Sequence, residues 1–411
     1  MSNIRIDGRA LWADLMETAR FGGTAKGGIK RLTLTEEDRQ VRDWFAATCT
    51  ALGCTVTVDR LGNMFARLEG QDSSLPPLTM GSHLDTQPTG GKFDGILGVL
   101  GGLAVLRALR EAGHVLRHPV ELINWTNEEG SRFSPPMMCS GAFAGVFTEE
   151  EILDKRDRAG ERFGDALEAI GYRGTQQCGD HPVAAYFELH IEQGPILEVE
   201  NRVIGAVTGV QGMRWYEVTV TGRDAHAGST PMTMRADTLL AAARMISAVS
   251  DVALAHAPKG LGTVGLIENR PNSHNVVPGE TFFTIDLRHP EDATLAVMEQ
   301  EMKQALTNLA EQAGVELALR QIWDAPAVPF DRRCIDMVSD AARDAGFEAM
   351  EIVSGPGHDA AYMARVTPTA MIFVPCRDGL SHNEAESITE GEAEAGANVL
   401  LGALLRADKV F

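Results

Sequence analysis

The chain has 411 residues and a formal net charge of -20, with 44% hydrophobic and 23% charged residues. That length exceeds what one compact core accommodates, so two domains of an ordinary globular protein are expected. The acidic surplus argues against nucleic acid or an anionic membrane surface as a partner, and it obliges any anionic substrate to meet a local patch of positive charge.

The N-terminal stretch "MSNIRIDGRALWADLMETARF" has no basic segment followed by an apolar core, so no signal peptide is expected. Thr35 followed by Asp38 reads as a capping box, and Val41, Trp44, Phe45, Cys49 and Leu52 recur at helical spacing. Strand-like runs then alternate with helices: "CTVTVDR", "NMFARLEG", "PLTMGSH", a helix over Gly98 to Ala112, and "HPVELINWTNEEG". That helix carries Arg107 and Arg110 and is too short to span a bilayer. This rhythm predicts an α/β fold with a mostly parallel sheet. The pattern changes between residues 210 and 325. "RWYEVTVTG" is a strand, "ADTLLAAARMISAVSDVA" a helix, "GTVGLIENR" and "ETFFTIDLRH" strands, "ATLAVMEQEMKQALTNLAEQAG" a helix and "VELALRQIW" a last strand. The order β-α-β-β-α-β is a ferredoxin-like unit. After Asp331 the α/β rhythm resumes with a helix, "TPTAMIFVPC" and a final helix. We therefore expect a catalytic domain split between 1–209 and 326–411, with a smaller unit, 210–325, inserted as a lid. The six cysteines (Cys49, Cys54, Cys139, Cys178, Cys334, Cys376) form no CxxC pair and read as buried thiols of a cytoplasmic protein.

Four polar clusters each follow an apolar strand: "SHLDT", "TNEEG", "HIEQG" and "LSHNEAE". In α/β sheets ligands bind at the carboxyl ends of strands, so these clusters can converge on one crevice. Each alone is an ordinary turn, helix start or core histidine; together they supply the imidazoles and carboxylates that two Zn²⁺ ions take, with Mn²⁺ or Co²⁺ as substitutes. Two adjacent cations need an anion between them, and Asp94 is the bridging candidate. His83 and His190 would complete one site, Glu129 and His382 the other. Asp85, two residues from His83, would accept the other imidazole N–H and fix its tautomer. Glu128, pointing away from its neighbour Glu129, is the candidate general base. The Gly-rich "GGKFDGILGVLGG" lacks the GK[ST] ending of a phosphate loop.

These segments, with "GRDAHAGSTPM", "NVVPG", "DLRH" and "GPGHDA", resemble the hydantoinase/carbamoylase branch of dinuclear zinc amidohydrolases. The resemblance runs from about Phe21 to about Thr389. It implies hydrolysis of the ureido C–N bond of N-carbamoyl-L-amino acids or N-carbamoyl-β-alanine, releasing amino acid, carbon dioxide and ammonia. It implies a homodimer formed through the lid, and a lid histidine, His226, that stabilises the oxyanion. Arg288, Asn275, Gln193 and the Gly357 N–H would bind substrate, and a cis peptide would follow Asp94. His358 is weighed as a group that orients a ligand or starts a helix. Allantoate is the alternative substrate. An aminoacylase or dipeptidase, and a noncatalytic dimeric binding protein, are more distant readings.

Overall fold

The computed structural model describes residues 4–411. The chain divides into two compact units: the residues up to Gly209 together with Pro329–Phe411, and Val210–Val328.

The first unit is built on four strands buried at every position: Leu78–His83, Val120–Trp125, Ala185–Ile191 and Thr369–Val374. Burial on both faces is what a strand under covering helices requires, and their continuous apolar sequences supply it. They pair in parallel in the order 120–125, 78–83, 185–191, 369–374. The sheet is mixed, however. Met64–Leu68 lies antiparallel to Val120–Trp125, Thr55–Val58 antiparallel to Met64–Leu68, and Gly205–Val210 antiparallel to Thr369–Val374. The physical reason is connection length. The short link between Thr55–Val58 and Met64–Leu68 permits only an antiparallel hairpin, whereas Leu78–His83 reaches Val120–Trp125 through a helical crossover.

That crossover helix, Ile96–Glu111, buries Ile96, Leu97, Val99, Leu100 and Leu103. Each such side chain contributes about 1.5–3 kcal/mol on leaving water. Gly98 lets it lie close to the sheet, because a Cβ there would overlap the Leu189 carbonyl oxygen. At Glu36–Ala51 the expected capping box is only half formed. Thr35 accepts the Asp38 N–H, but the Asp38 carboxylate turns to the Leu34 N–H at 2.7 Å and to Arg42 Nε at 2.9 Å. A buried guanidinium holds that carboxylate more strongly than the N-cap amide would. All six cysteines are free and buried.

The second unit is an antiparallel sheet in the order Ile267–Arg270, Glu280–His289, Gly212–Thr221, Glu316–Ala325, with Leu261–Thr263 also on Glu280–His289. The stretch read as one strand, "GTVGLIENR", is two short ones. Along Glu280–His289 the buried residues alternate (Thr281, Phe283, Ile285, Leu287), so one face enters the core and the other does not. Helices Thr238–Ala255 and Asp292–Ala313 cover the buried face through Met245, Val249, Leu295, Met298 and Met302. Thr238–Ala255 is apolar enough by length and composition to cross a membrane, yet its Ala241, Ala242, Met245 and Val249 face is buried in this core. Leu239, Leu240 and Leu254 remain exposed on the opposite side.

Candidate metal centre

His83 closes its strand and His190 lies near the end of the adjacent parallel strand, so register alone delivers two imidazoles to one edge. Asp94 sits on the turn that feeds the crossover helix. There Gly95 adopts φ +69, and a Cβ on it would overlap the His83 ring. Glu128 and Glu129 follow Val120–Trp125 across a turn with Asn127 at φ +60 and Gly130 at φ +63. His382, at φ +54, comes from the loop that follows Thr369–Val374 and the short helical turn Arg377–Gly379.

Asp94 is the centre of the cluster. Its Oδ1 lies 3.7 Å from His83 Nε2 and 3.3 Å from His190 Nε2, and its Oδ2 lies 3.4 Å from His382 Nε2. His382 Nε2 is in turn 3.5 Å from Glu129 Oε2. Two overlapping donor groups result, His83–Asp94–His190 and Asp94–Glu129–His382, with the atoms of each within 4.8 Å of one another.

The charge state of these groups tests whether they fit a cation. His83 Nδ1 and His190 Nδ1 each lie 2.9 Å from a backbone carbonyl, those of Asp85 and Ile191. A carbonyl only accepts, so both Nδ1 atoms carry hydrogen and both Nε2 atoms face Asp94. Burial pushes His83 down to about 4, leaving a neutral ring with an unshared lone pair. Against its own burial, His190 is pushed up to about 9 by its hydrogen bond to Asp94. Burial, and then neighbouring carboxylates, raise Glu128 and Glu129 well above the usual range. Buried carboxylates and imidazoles gathered around Asp94 form a donor set suited to a divalent metal ion.

Two expectations about this region are corrected. Asp85 does not orient His83 through its carboxylate, which is 3.8 Å from Nδ1; its backbone carbonyl does so. The carboxylate instead accepts the N–H groups of Glu128 at 3.2 Å and Glu129 at 3.3 Å, because it points across to the neighbouring strand end. The cis peptide bonds among the described residues all precede proline, so the Asp94–Gly95 bond is trans. The positive φ of glycine makes the turn that a cis bond was expected to make.

Gln193, expected on substrate, donates its amide N–H to Asp94 Oδ2 at 3.0 Å and to Ser381 Oγ at 3.2 Å. Gly357 lies before the helix Asp359–Met363, beside Met137, whose own N–H donates to the Glu128 carbonyl at 2.7 Å. His358 is buried against the His190 ring at 4.5 Å.

Residue-by-residue reading missed the groups that hold the ligands. Gln87 donates to both Glu129 oxygens, and Glu386 accepts from the Asp94 backbone. Glu386 stands inside "LSHNEAE" and Gln87 directly follows "SHLDT", so proximity to a ligand in sequence was the available signal.

His226, Asn275 and Arg288 belong to the second unit. His226 pairs with Val276, and its neighbour Ala227 donates to the Asn275 carbonyl, so His226 and Asn275 stand at the same end of one antiparallel pairing. The Gly228 N–H donates to His226 Nδ1 at 3.0 Å, which leaves the exposed Nε2 as the N–H donor of the neutral ring. Arg288 makes a forked pair with Asp286 on the same strand face, with Nη2 to Oδ2 at 2.7 Å.

Residues 79–406 match the model of peptidase family M20/M25/M40. The chain is 46% identical over 408 residues to an N-carbamoyl-L-amino-acid amidohydrolase of Rhizobium meliloti, covering 99% of this chain and 98% of that one. It is 35% identical to an allantoate amidohydrolase of Bacillus subtilis, covering 94% and 95%. Among solved structures, a hydantoinase/carbamoylase family amidase from Burkholderia multivorans superposes with a TM-score of 0.97 at 52% identity, covering 99% of each chain.

Proposed function

The chain belongs to peptidase family M20/M25/M40 and to its hydantoinase/carbamoylase branch, and from that premise we propose how it works. The enzyme hydrolyses the ureido C–N bond of N-carbamoyl-L-amino acids. Water adds to the ureido carbon, the bond to nitrogen breaks, and the products are the amino acid, carbon dioxide and ammonia. The observation that carries this reading is the convergence of His83, Asp94, Glu129, His190 and His382, with the Glu128 carboxylate 3.4 Å from His83.

We assign two Zn²⁺ per subunit, with Mn²⁺ or Co²⁺ as substitutes: His83 and His190 would hold one, Glu129 and His382 the other, and Asp94 would serve both. When bound, such a pair supplies Lewis-acid charge at a carbonyl oxygen and makes water acidic near neutral pH. Glu128 is the base. Its carboxylate stands beside the ligand cluster, 3.4 Å from His83 Nε2, where it can take a proton from the attacking water and return it to the leaving nitrogen. Asp85 steadies that base through the backbone of residues 128 and 129.

In the second unit, the inserted lid of this reading, His226 presents an Nε2–H to the oxyanion, from its own chain or from a second copy. Removing such a donor costs about 10²–10³-fold in kcat, the expected result for His226→Ala. Arg288, Asn275 and the Gly357 N–H take the substrate carboxylate, which Arg288 reaches by exchanging Asp286 for it. Gln193 takes the ureido group. The exposed Leu239, Leu240 and Leu254 support a homodimer formed through this unit, and six free buried cysteines support a cytoplasmic location.

Allantoate, which also carries a carboxylate and ureido groups, is the second reading, favoured by the likeness to the Bacillus subtilis enzyme. The test is ammonia release from several N-carbamoyl-L-amino acids, N-carbamoyl-β-alanine and allantoate, each with zinc, manganese and cobalt. Carbamoyl-L-amino acids should turn over fastest. A preference for allantoate would reassign the substrate, and no release from any ureido acid by metal-loaded protein would overturn the hydrolase. Glu128→Gln should bind metal normally and lose about 10²–10⁴-fold in kcat.

A further inference from the structure

Asp94 and His382 come from two loops far apart in the sequence, and neither loop is part of a strand. Their side chains nevertheless stand 3.4 Å apart. Something outside the sheet has to set that spacing, and Glu386 makes the bonds that can. Its carboxylate is buried, 4% exposed. Oε1 accepts two successive backbone N–H groups, Phe93 at 3.0 Å and Asp94 at 3.1 Å. Oε2 lies 3.1 Å from Ser381 Oγ, and that hydroxyl lies 2.9 Å from Asp94 Oδ2. The Glu386 N–H closes its own turn on the Asn383 carbonyl at 3.0 Å. One side chain thus grips the Asp94 backbone with one oxygen and the residue preceding His382 with the other.

Gly91 gives an independent sign that this placement is built in. Its backbone needs no positive φ, yet a Cβ there would overlap the Glu386 carboxyl group. Only a residue without a side chain admits the carboxylate at this point.

We propose that Glu386 is a positioning residue that fixes Asp94 and His382 at the separation needed to hold a cation between them. The inference rests on the reading of Asp94 and His382 as cation ligands. It predicts which atoms matter. Glu386→Gln keeps an oxygen for both N–H groups, and its amide can donate to Ser381 Oγ while the hydroxyl donates to Asp94. Glu386→Ala removes all three contacts.

The experiment is calorimetric titration of Zn²⁺ into the metal-stripped full-length protein. Glu386→Ala should weaken the weaker binding event about 10–100-fold, the usual cost of losing a group that orients a ligand. Glu386→Gln should restore binding close to wild type. Gly91→Ala should weaken it as Glu386→Ala does, because its methyl would overlap the Glu386 side chain from Cβ to carboxyl. Far-UV circular dichroism accompanies each titration; should Glu386→Ala not fold, Glu386→Gln and Gly91→Ala decide. Wild-type affinity in Glu386→Ala or in Gly91→Ala overturns the proposal, as does a loss in Glu386→Gln equal to that of the alanine variant. Asp94→Asn serves as the separate control: if it binds Zn²⁺ as wild type does, the ligand reading has failed rather than the role of Glu386.

Discussion

At Asp85 the residue identity and the atom that acts come apart. Its spacing from His83 suggested a carboxylate–imidazole pair, but the carbonyl is the partner at 2.9 Å and the carboxylate serves the Glu128 and Glu129 backbone. Asp85→Asn leaves the carbonyl in place and keeps only one good acceptor for two N–H groups. It should therefore reduce kcat while leaving Zn²⁺ affinity near wild type, measured by steady-state kinetics beside a metal titration. An equal fall in both would return the carboxylate to His83. Gly95 offers the opposite case. With φ +69 and the His83 ring against its α-carbon, Gly95→Ala combines backbone strain with a clash. It should lose cation binding and lower the melting temperature together. The polar clusters that carry His83, Glu128 and His382 were legible in the sequence because polar groups at the ends of apolar strands are conspicuous. The groups that fix them, Gln87 and Glu386, were not, since a glutamine or glutamate in a loop carries no periodicity to mark it.

Among the elements, those with strong local codes read best. Helix Glu390–Val410 opens on Thr389 with Glu392 in a reciprocal capping box, and helix Arg332–Asp344 opens on Asp331. Asp331 accepts the Arg333 N–H at 2.8 Å and pairs with the Arg333 guanidinium. The hydrogen bond from the Arg333 side chain is the main cause that holds its carboxyl below the usual range. A lowered value means that the stabilisation is present above the unfolded carboxylate range near pH 4 and disappears as pH falls through the folded value. Asp331→Ala should therefore cost about 1 kcal/mol near pH 7. The difference in denaturant midpoint from wild type should vanish in acid, and a constant difference down to pH 2 would contradict the assignment. Strand direction was less legible. The apolar runs of the central strands foretell burial on both faces, but the antiparallel flanks depend on which neighbour each strand finds, and that is not a local property.

For the molecule as a whole, a -20 chain that concentrates buried carboxylates should be strained without cations. Metal binding to the folded state alone stabilises it by about 2.7 kcal/mol at a concentration of 100 Kd. Stripping the metal with a chelator should lower the melting temperature by several degrees and abolish turnover, and added Zn²⁺ should restore both. A melting temperature indifferent to chelator would mean that the cluster holds no ion in the folded protein. The second unit makes its own prediction: Leu240→Glu with Leu254→Glu should leave circular dichroism unchanged and shift light scattering from dimer to monomer, if the exposed helix face is where two copies meet. The sequence by itself determined which stretches are buried strands, where they stop and what chemical groups stand just beyond them, because hydrophobic runs and turn residues act over a few positions. Only the tertiary structure decided that the Asp85 carbonyl rather than its carboxylate meets His83, that a trans turn at Gly95 presents Asp94, and that Glu386 reaches back to the Asp94 backbone. Hydrogen bonds form or fail over fractions of an ångström, and those distances are fixed by packing between segments hundreds of residues apart.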